Sequence, residues 1–321
     1  MPASRQSPLI PASSPSPAQR LRKLIEAPEI LLMPGVFDGF SAKLVEACGF
    51  KAGFITGSGV SESRLGWPDV GLMGLAENLD ACRVLARSTS IPLLADGDTG
   101  YGNAVNVHFA VSAFEQAGVA GVMFEDQTWP KRCGHMSGKE LIRAEEMVQK
   151  VRAAVEGRTN DDFVIMARTD AAGPIGIDEA IRRANLYADA GADLLFADAV
   201  LSEADIARLC EQASGPVLVN MGFGIRTRST TPLLPPARLE QLGVAVVIYP
   251  RMLTAASAMG MRKAMTALLE GAAADEAVDR PDLAISFEEL NSLMGLADIQ
   301  EVESRYLTPE DLARKYDRGQ S

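Results

Sequence analysis

Eight short apolar runs set the limits on what this chain can fold into. They are Ile30–Val36, Ala52–Ile55, Ile91–Ala95, Gly121–Phe124, Phe163–Ala167, Leu194–Ala197, Pro216–Val219 and Val244–Tyr249. Each is strand-length and continuous rather than alternating. Such strands fit a parallel sheet covered on both faces. Amphipathic segments lie between them: Ser41–Cys48, Leu75–Ala86, Val105–Ala117, Ala144–Val155, Asp178–Ala190 and Glu203–Ala213. Gly49, Gly118, Gly191 and Gly243 stand where helices end ahead of the next strand. Eight such units predict a (β/α)8 TIM-type barrel in one domain. An open doubly wound sheet shares the pattern. No G-x-G-x-x-G follows the first strand, however, so its usual dinucleotide signature is missing.

The domain boundaries follow from composition. Residues 1–19, rich in Pro, Ser and Ala, read as a disordered tail that lacks the apolar stretch of a secretory signal. Residues 20–270 make the catalytic barrel, opened by a short helix from Arg20 to Glu26. Residues 271–321 make a C-terminal helical extension, with helices expected over Ser286–Leu296 and Tyr306–Tyr316 after one over Thr254–Glu270. With 47% hydrophobic and 23% charged residues in 321, the chain can bury a sizeable core. Its net charge of -11 argues against nucleic acid and anionic membranes as partners. No apolar run reaches the ~18 residues of a membrane span. Cys48, Cys82, Cys133 and Cys210 form no C-x-x-C pair, so neither zinc nor a disulfide framework is indicated. Reduced thiols fit a cytoplasmic enzyme. Cys48, Cys82 and Cys210 fall in helical patterns and read as core.

Barrel active sites form at the C-terminal strand ends. Polar groups collect there: Asp38, Thr56-Gly57-Ser58-Gly59, Asp96 and Asp98, Glu125-Asp126-Gln127, Arg168-Thr169-Asp170, Asp198 and Asn220. Seven of the eight strands supply one, more than helix capping requires. Asp96 and Asp98, two apart on one strand end, project together. Two close carboxylates repel, and a hard divalent cation removes that cost. The plainer reading is a strand ending in a turn, with Asp98 capping the next helix. Two of the loops are long, Arg64–Asp69 and Trp129–Met136, as lids on this face are. In the second, Lys131, Arg132 and His135 flank Cys133, a setting that favours the thiolate. The plainer alternative is a solvated basic loop.

Four ordered motifs now stand together. They are Asp96-Gly97-Asp98-Thr99-Gly100-Tyr101-Gly102-Asn103, Glu125-Asp126-Gln127, Pro130-Lys131-Arg132-Cys133-Gly134-His135 and Ala167-Arg168-Thr169-Asp170. They resemble the isocitrate lyase / phosphoenolpyruvate mutase superfamily over roughly Pro34 to Leu253. The resemblance implies an (α/β)8 barrel, commonly a homotetramer whose C-terminal helix is exchanged between subunits. It also implies Mg²⁺, with Mn²⁺ as an alternative ion, and a small anionic carboxylate substrate. By similarity Asp98 ligates the metal, and Asp96, Asp69 and Glu125 hold it directly or through water. Thr56, Gly57 and Ser58 match the substrate-carboxylate loop. Arg168, Asn220, Asp198 and Thr231 match substrate positions. Cys133 with His135 belongs to the lyase form of the loop. Two departures concern the pocket. Asp198 stands where lyases of the family carry Glu, and Asn220-Met221-Gly222-Phe223-Gly224 lacks the acid that usually follows the asparagine, while Arg226 and Arg228 are added.

The chemistry implied is Mg²⁺-dependent carbon–carbon cleavage of a 2-hydroxy di- or tricarboxylate, of the 2-methylisocitrate or 2,3-dimethylmalate kind. Cys133 would be the acid that protonates the carbanion carbon. A phosphonate mutase, an oxaloacetate-type decarboxylase or hydrolase, and a non-catalytic binding barrel are the alternatives.

Overall fold

A computed structural model describes residues 15–134, 136, 138–222 and 231–316. The strands are β1 (Leu31–Val36), β2 (Gly53–Ile55), β3 (Leu93–Asp96), β4 (Gly121–Glu125), β5 (Val164–Thr169), β6 (Leu194–Ala197), β7 (Val217–Asn220) and β8 (Val246–Tyr249). They form a closed barrel in chain order, and β8 pairs in parallel with β1, Leu31 opposite Val246. The eight apolar runs are therefore the eight staves of the expected (β/α)8 barrel. Residue contacts divide the chain into two compact units, Met1–Ala255 and Ala256–Ser321.

The strands are apolar on both faces because both faces are buried. Met33, Phe54, Leu94, Met123, Met166 and Phe196 belong to one cluster, inside the barrel. Their chain neighbours Ile55, Ala95, Val122, Phe124, Ile165 and Leu195 belong to a second, under the helices. Successive strand residues alternate faces. The inner series therefore continues past the apolar layers in steps of two: Phe54 to Thr56, Leu94 to Asp96, Met123 to Glu125, Met166 to Arg168, Phe196 to Asp198, Leu218 to Asn220. The same parity that fills the barrel brings these six polar side chains to its mouth.

The opening helix runs Pro17–Ile25, beginning three residues before the expected Arg20. Ser16 and Gln19 close a reciprocal capping box, and Pro17 sits in the first turn. What reads by composition as tail is in fact a helix start. Leu21 and Ile25 join the inner cluster, each contributing roughly 1.5–3 kcal/mol of burial. Arg22 Nη2 donates to Asp193 Oδ1 at 2.9 Å, just ahead of β6.

Other expectations shift locally. Asp98 does not cap the next helix; Asn103 does, through Val105 N. Asp38 caps the helix Gly39–Ala47. Part of the expected loop after β2 is helical: Gly57–Val60, then a π-helical turn Ser61–Leu65. Cys48 is exposed rather than core, because it is the C-cap of its helix, while Cys82 is buried. In the C-terminal unit the helix expected to reach Leu296 stops at Leu293, and Gly295 adopts a left-handed φ of 83°. Helices Leu296–Tyr306 and Pro309–Tyr316 follow. Among the described residues no helix is long and apolar enough to cross a membrane.

Candidate active site

A cavity partly open to solvent lies at the barrel mouth. Phe54, Phe196, Ile248 and Pro250 form its apolar walls. Thr56, Ser58, Asp69, Asp96, Cys133, Arg168, Asp198, Asn220 and Arg251 bring polar groups to it. Three expected site residues stand behind this lining. Asp98 and Glu125 are buried at 1% exposure each, and Gly57 donates its N–H to Asp96 Oδ2 at 3.3 Å. A Cβ on Gly57 would sit 2.8 Å from that oxygen, so only glycine leaves the carboxylate its place. Thr231 is buried but is not among the lining residues. His135 and the Phe223, Gly224, Arg226 and Arg228 positions lie outside the described residues.

The carboxylates converge on a lysine. Lys131 is buried and ion-pairs with Asp69 and with Asp98 Oδ1, the latter at 2.7 Å. Lys131 is therefore not solvated, as the plainer reading of the basic loop had it, and its charge goes to acids rather than to the Cys133 thiol. Its ammonium is the counter-charge of the acid cluster. Burial alone would lower the Lys131 pKa, yet Asp98 and Asp69 hold it well above the usual lysine range. Burial, and the charges of Asp96 and Asp69, push the Asp98 carboxyl up to about 7 against the pull of Lys131. Burial raises Asp96 and Glu125 as well. Asp98 N donates to Asp96 Oδ1 at 3.0 Å, and Asp98 itself has a φ of 49°, a left-handed conformation that Asp and Asn accept.

Among the described residues no three His, Cys, Asp or Glu side chains are grouped as a ready-made metal cage. The donor chemistry nonetheless fits a hard cation. Every candidate ligand is a carboxylate, and Glu125 Oε1 is buried without a hydrogen-bond partner. Mg²⁺ takes one or two carboxylates and completes its shell with water and substrate, so it needs no full protein cage.

Arg168 is held by acids on several sides. Its Nε and Nη2 donate to Asp170 Oδ2 and Oδ1 at 2.9 Å each, and Nη2 also donates to Asp198 Oδ2 at 2.7 Å. Glu125 Oε2 lies 3.3 Å from Nε. Asp198 thus shares with Asp170 the aiming of Arg168, as well as being part of the cavity wall. Behind it, Asp170 N donates to Asp126 Oδ1 at 2.9 Å, and Asp126 Oδ2 accepts from Arg183 Nη1 at 2.9 Å and Tyr187 Oη at 2.7 Å. The adjacent acids of the Glu125-Asp126 motif therefore part: Glu125 faces the barrel interior, and Asp126 anchors the helix Ile177–Asp189.

The loop that carries Cys133 is seated on this arginine. A Cβ on Gly134 would collide with Asp198 Oδ2 and Arg168 Nη2. Lys139, which the sequence did not single out, donates to Gly134 O at 2.8 Å and to Asp170 Oδ1 at 2.7 Å. Burial disfavours the Asp170 carboxylate, yet Arg168 and Lys139 together hold its pKa below the usual range. Gln127 grips the loop's other arm, donating to Arg132 O at 2.9 Å and accepting from Arg132 N at 3.0 Å.

A family model described as phosphoenolpyruvate phosphomutase matches residues 21–269, most of the chain. The chain belongs to the isocitrate lyase / phosphoenolpyruvate mutase superfamily. This superfamily member is 43% identical over 291 residues to the 2,3-dimethylmalate lyase of Eubacterium barkeri, covering 91% of this chain and 98% of that one. Its fold matches oxaloacetate acetylhydrolase in complex with the inhibitor 3,3-difluorooxalacetate, at a TM-score of 0.83 and 32% identity, over 90% of this chain and 96% of that one. It also matches a phosphonopyruvate hydrolase in complex with oxalate and Mg²⁺, at a TM-score of 0.80 and 30% identity, over 91% of this chain and 100% of that one. These relatives of the superfamily member are enzymes, a lyase and two hydrolases.

Proposed function

We propose that the protein is a Mg²⁺-dependent carbon–carbon lyase that cleaves a small 2-hydroxy di- or tricarboxylate, resembling 2,3-dimethylmalate or 2-methylisocitrate, to an α-oxo acid and a second carboxylate. One observation carries the reading: Cys133, Arg168 and the acids Asp69 and Asp96 face a single cavity. The 43% identity to a 2,3-dimethylmalate lyase supports it.

Asp98, with Asp96, Asp69 and Glu125, would hold the cation. When bound, it supplies Lewis acidity to the substrate's 2-hydroxyl and adjoining carboxylate. The chain's own residues do the rest. The Thr56 and Ser58 hydroxyls and the Arg168 guanidinium bind and orient carboxylate oxygens. Asp198 and Asp170 keep that guanidinium in one rotamer, so orientation is provided before the substrate arrives. The 2-hydroxyl proton leaves to solvent, its carbon becomes the carbonyl of the α-oxo acid, and the electron pair of the broken carbon–carbon bond forms an enolate of the leaving carboxylate. Arg168 balances its charge, and Cys133 Sγ–H gives its proton to the carbon. The Cys133 loop, seated by Gly134 and Lys139, excludes water from that step.

The test is a panel of 2-hydroxy and 2-oxo diacids with Mg²⁺, monitored for released pyruvate or glyoxylate, with and without chelator. Chelator-sensitive release from a 2-hydroxy diacid is the expected result. Rearrangement of a phosphonate, or cleavage of 2-oxo acids alone, would replace the lyase reading with the mutase or hydrolase one.

The exposed apolar side chains of the C-terminal unit, among them Leu268, Leu269, Phe287 and Tyr306, support assembly into a homo-oligomer, a tetramer by family resemblance. Sedimentation equilibrium should give four times the chain mass; a monomeric mass rules the assembly out.

A further inference from the structure

The eighth apolar run ends in no charged group, and the structure supplies one. Arg251 follows β8 and lines the cavity beside Thr56, Ser58 and Asn220. Around a closed ring of eight strands, β8 stands opposite β4, whose loop carries Cys133. Arg251 and the candidate acid thus belong to opposite sides of the mouth.

Among the described residues, Arg168, Lys131 and Lys139 are already committed to acids. Arg168 lies within 3.3 Å of Glu125, Asp170 and Asp198. Lys131 is paired with Asp69 and Asp98, and Lys139 with Asp170. Asp69, Asp96 and Asp198 also line the cavity. An anionic substrate enters against these carboxylates and needs a cation whose charge is not taken up. The Arg251 side chain is 34% exposed and faces Glu62 Oε1 at 3.3 Å. That distance is long for a charge-assisted bond, which runs about 2.7–2.9 Å, and partly exposed pairs of this kind contribute little. Glu62 lies on the π-helical turn Ser61–Leu65, directly after the helix Gly57–Val60. Such turns recur at functional sites.

We infer that Arg251 receives the distal carboxylate of a diacid and so selects diacids over monoacids. The inference rests on reading the cavity as a carboxylate site. The reacting end of the substrate lies towards Arg168 and Cys133, and the second charge lies across the mouth at Arg251. Glu62 keeps the guanidinium extended and yields to the incoming carboxylate.

Binding of two probes tests this without any bond cleavage. Malate and lactate share a 2-hydroxycarboxylate head, and malate alone has a distal carboxylate. Calorimetric titration of the Mg²⁺-loaded full chain should show malate binding about 10- to 100-fold tighter than lactate, the usual return of a charge-assisted bond. R251M should lose that margin while its lactate affinity stays put. R251K, which restores the charge without the planar fork, should recover part of it. Equal affinity of the wild type for both probes, no malate binding at all, or a full malate margin in R251M would each overturn the assignment. The lyase reading would still stand or fall on turnover of the diacid panel, so the two failures are distinguishable.

Discussion

Asp98→Asn is expected to abolish turnover at millimolar Mg²⁺ while leaving the barrel folded. Asparagine is the substitution of choice because Asp98 has a φ of 49°. Asn accepts that conformation, whereas Ala adds backbone strain to the loss of the charge. The carboxyl is buried at 1% exposure, and burial together with Asp96 and Asp69 pushes its pKa up to about 7. Removing the charge relieves repulsion from two acids and weakens one ion pair with Lys131. These effects oppose each other, so the melting temperature should stay within about 4 °C, or ~1 kcal/mol in a domain of this size. Function has no such compensation, because a neutral amide is a poor ligand for a hard cation. Binding of Mn²⁺, followed by its paramagnetic resonance signal, should weaken together with turnover. Normal turnover, or unchanged ion binding, would remove Asp98 from the metal site.

Cys133→Ser is the second large effect, and it separates the chemistries. Serine nearly preserves the shape, so the loop should keep its seat on the Arg168–Asp198 pair. Its hydroxyl has too high a pKa to donate and recover a proton as a thiol does. The variant should lose on the order of 10²–10⁴ in kcat, the usual worth of a positioned acid. KM should move much less, because the transfer occurs only in the transition state. A reaction whose enolate is protonated by water would be hurt far less. Retention of more than roughly a tenth of wild-type kcat, a loss of about 1.4 kcal/mol or less, would mean that Cys133 is not the acid. The mutase or hydrolase reading would then gain.

The barrel was legible in the sequence because its signal is local. Eight strand-length apolar runs, each followed by an amphipathic helix, admit few architectures. The period-two alternation that buries Leu94 and Met166 inside also carries Asp96 and Arg168 to the mouth. The position of those strand-end residues therefore followed from parity alone, whereas their metal and substrate roles rested on the family resemblance. Residues outside that register were not legible. Lys131 reads as a basic neighbour of the Cys133 thiol, but only the return path of its loop brings the ammonium between Asp69 and Asp98. Lys139 is one polar residue among several until Gly134 O and Asp170 are placed beside it. Arg251 follows Pro250, off the strand, and joins the cavity only because ring closure brings β8 against β1. The motif Glu125-Asp126 shows the division within two residues. Sequence determined that both acids stand at a strand end, and alternation then sent one inward to the site and the other outward to Arg183 and Tyr187. Charge partners depend on distances across the fold, which a linear pattern does not encode. Only the tertiary structure decided which cation neutralises which acid.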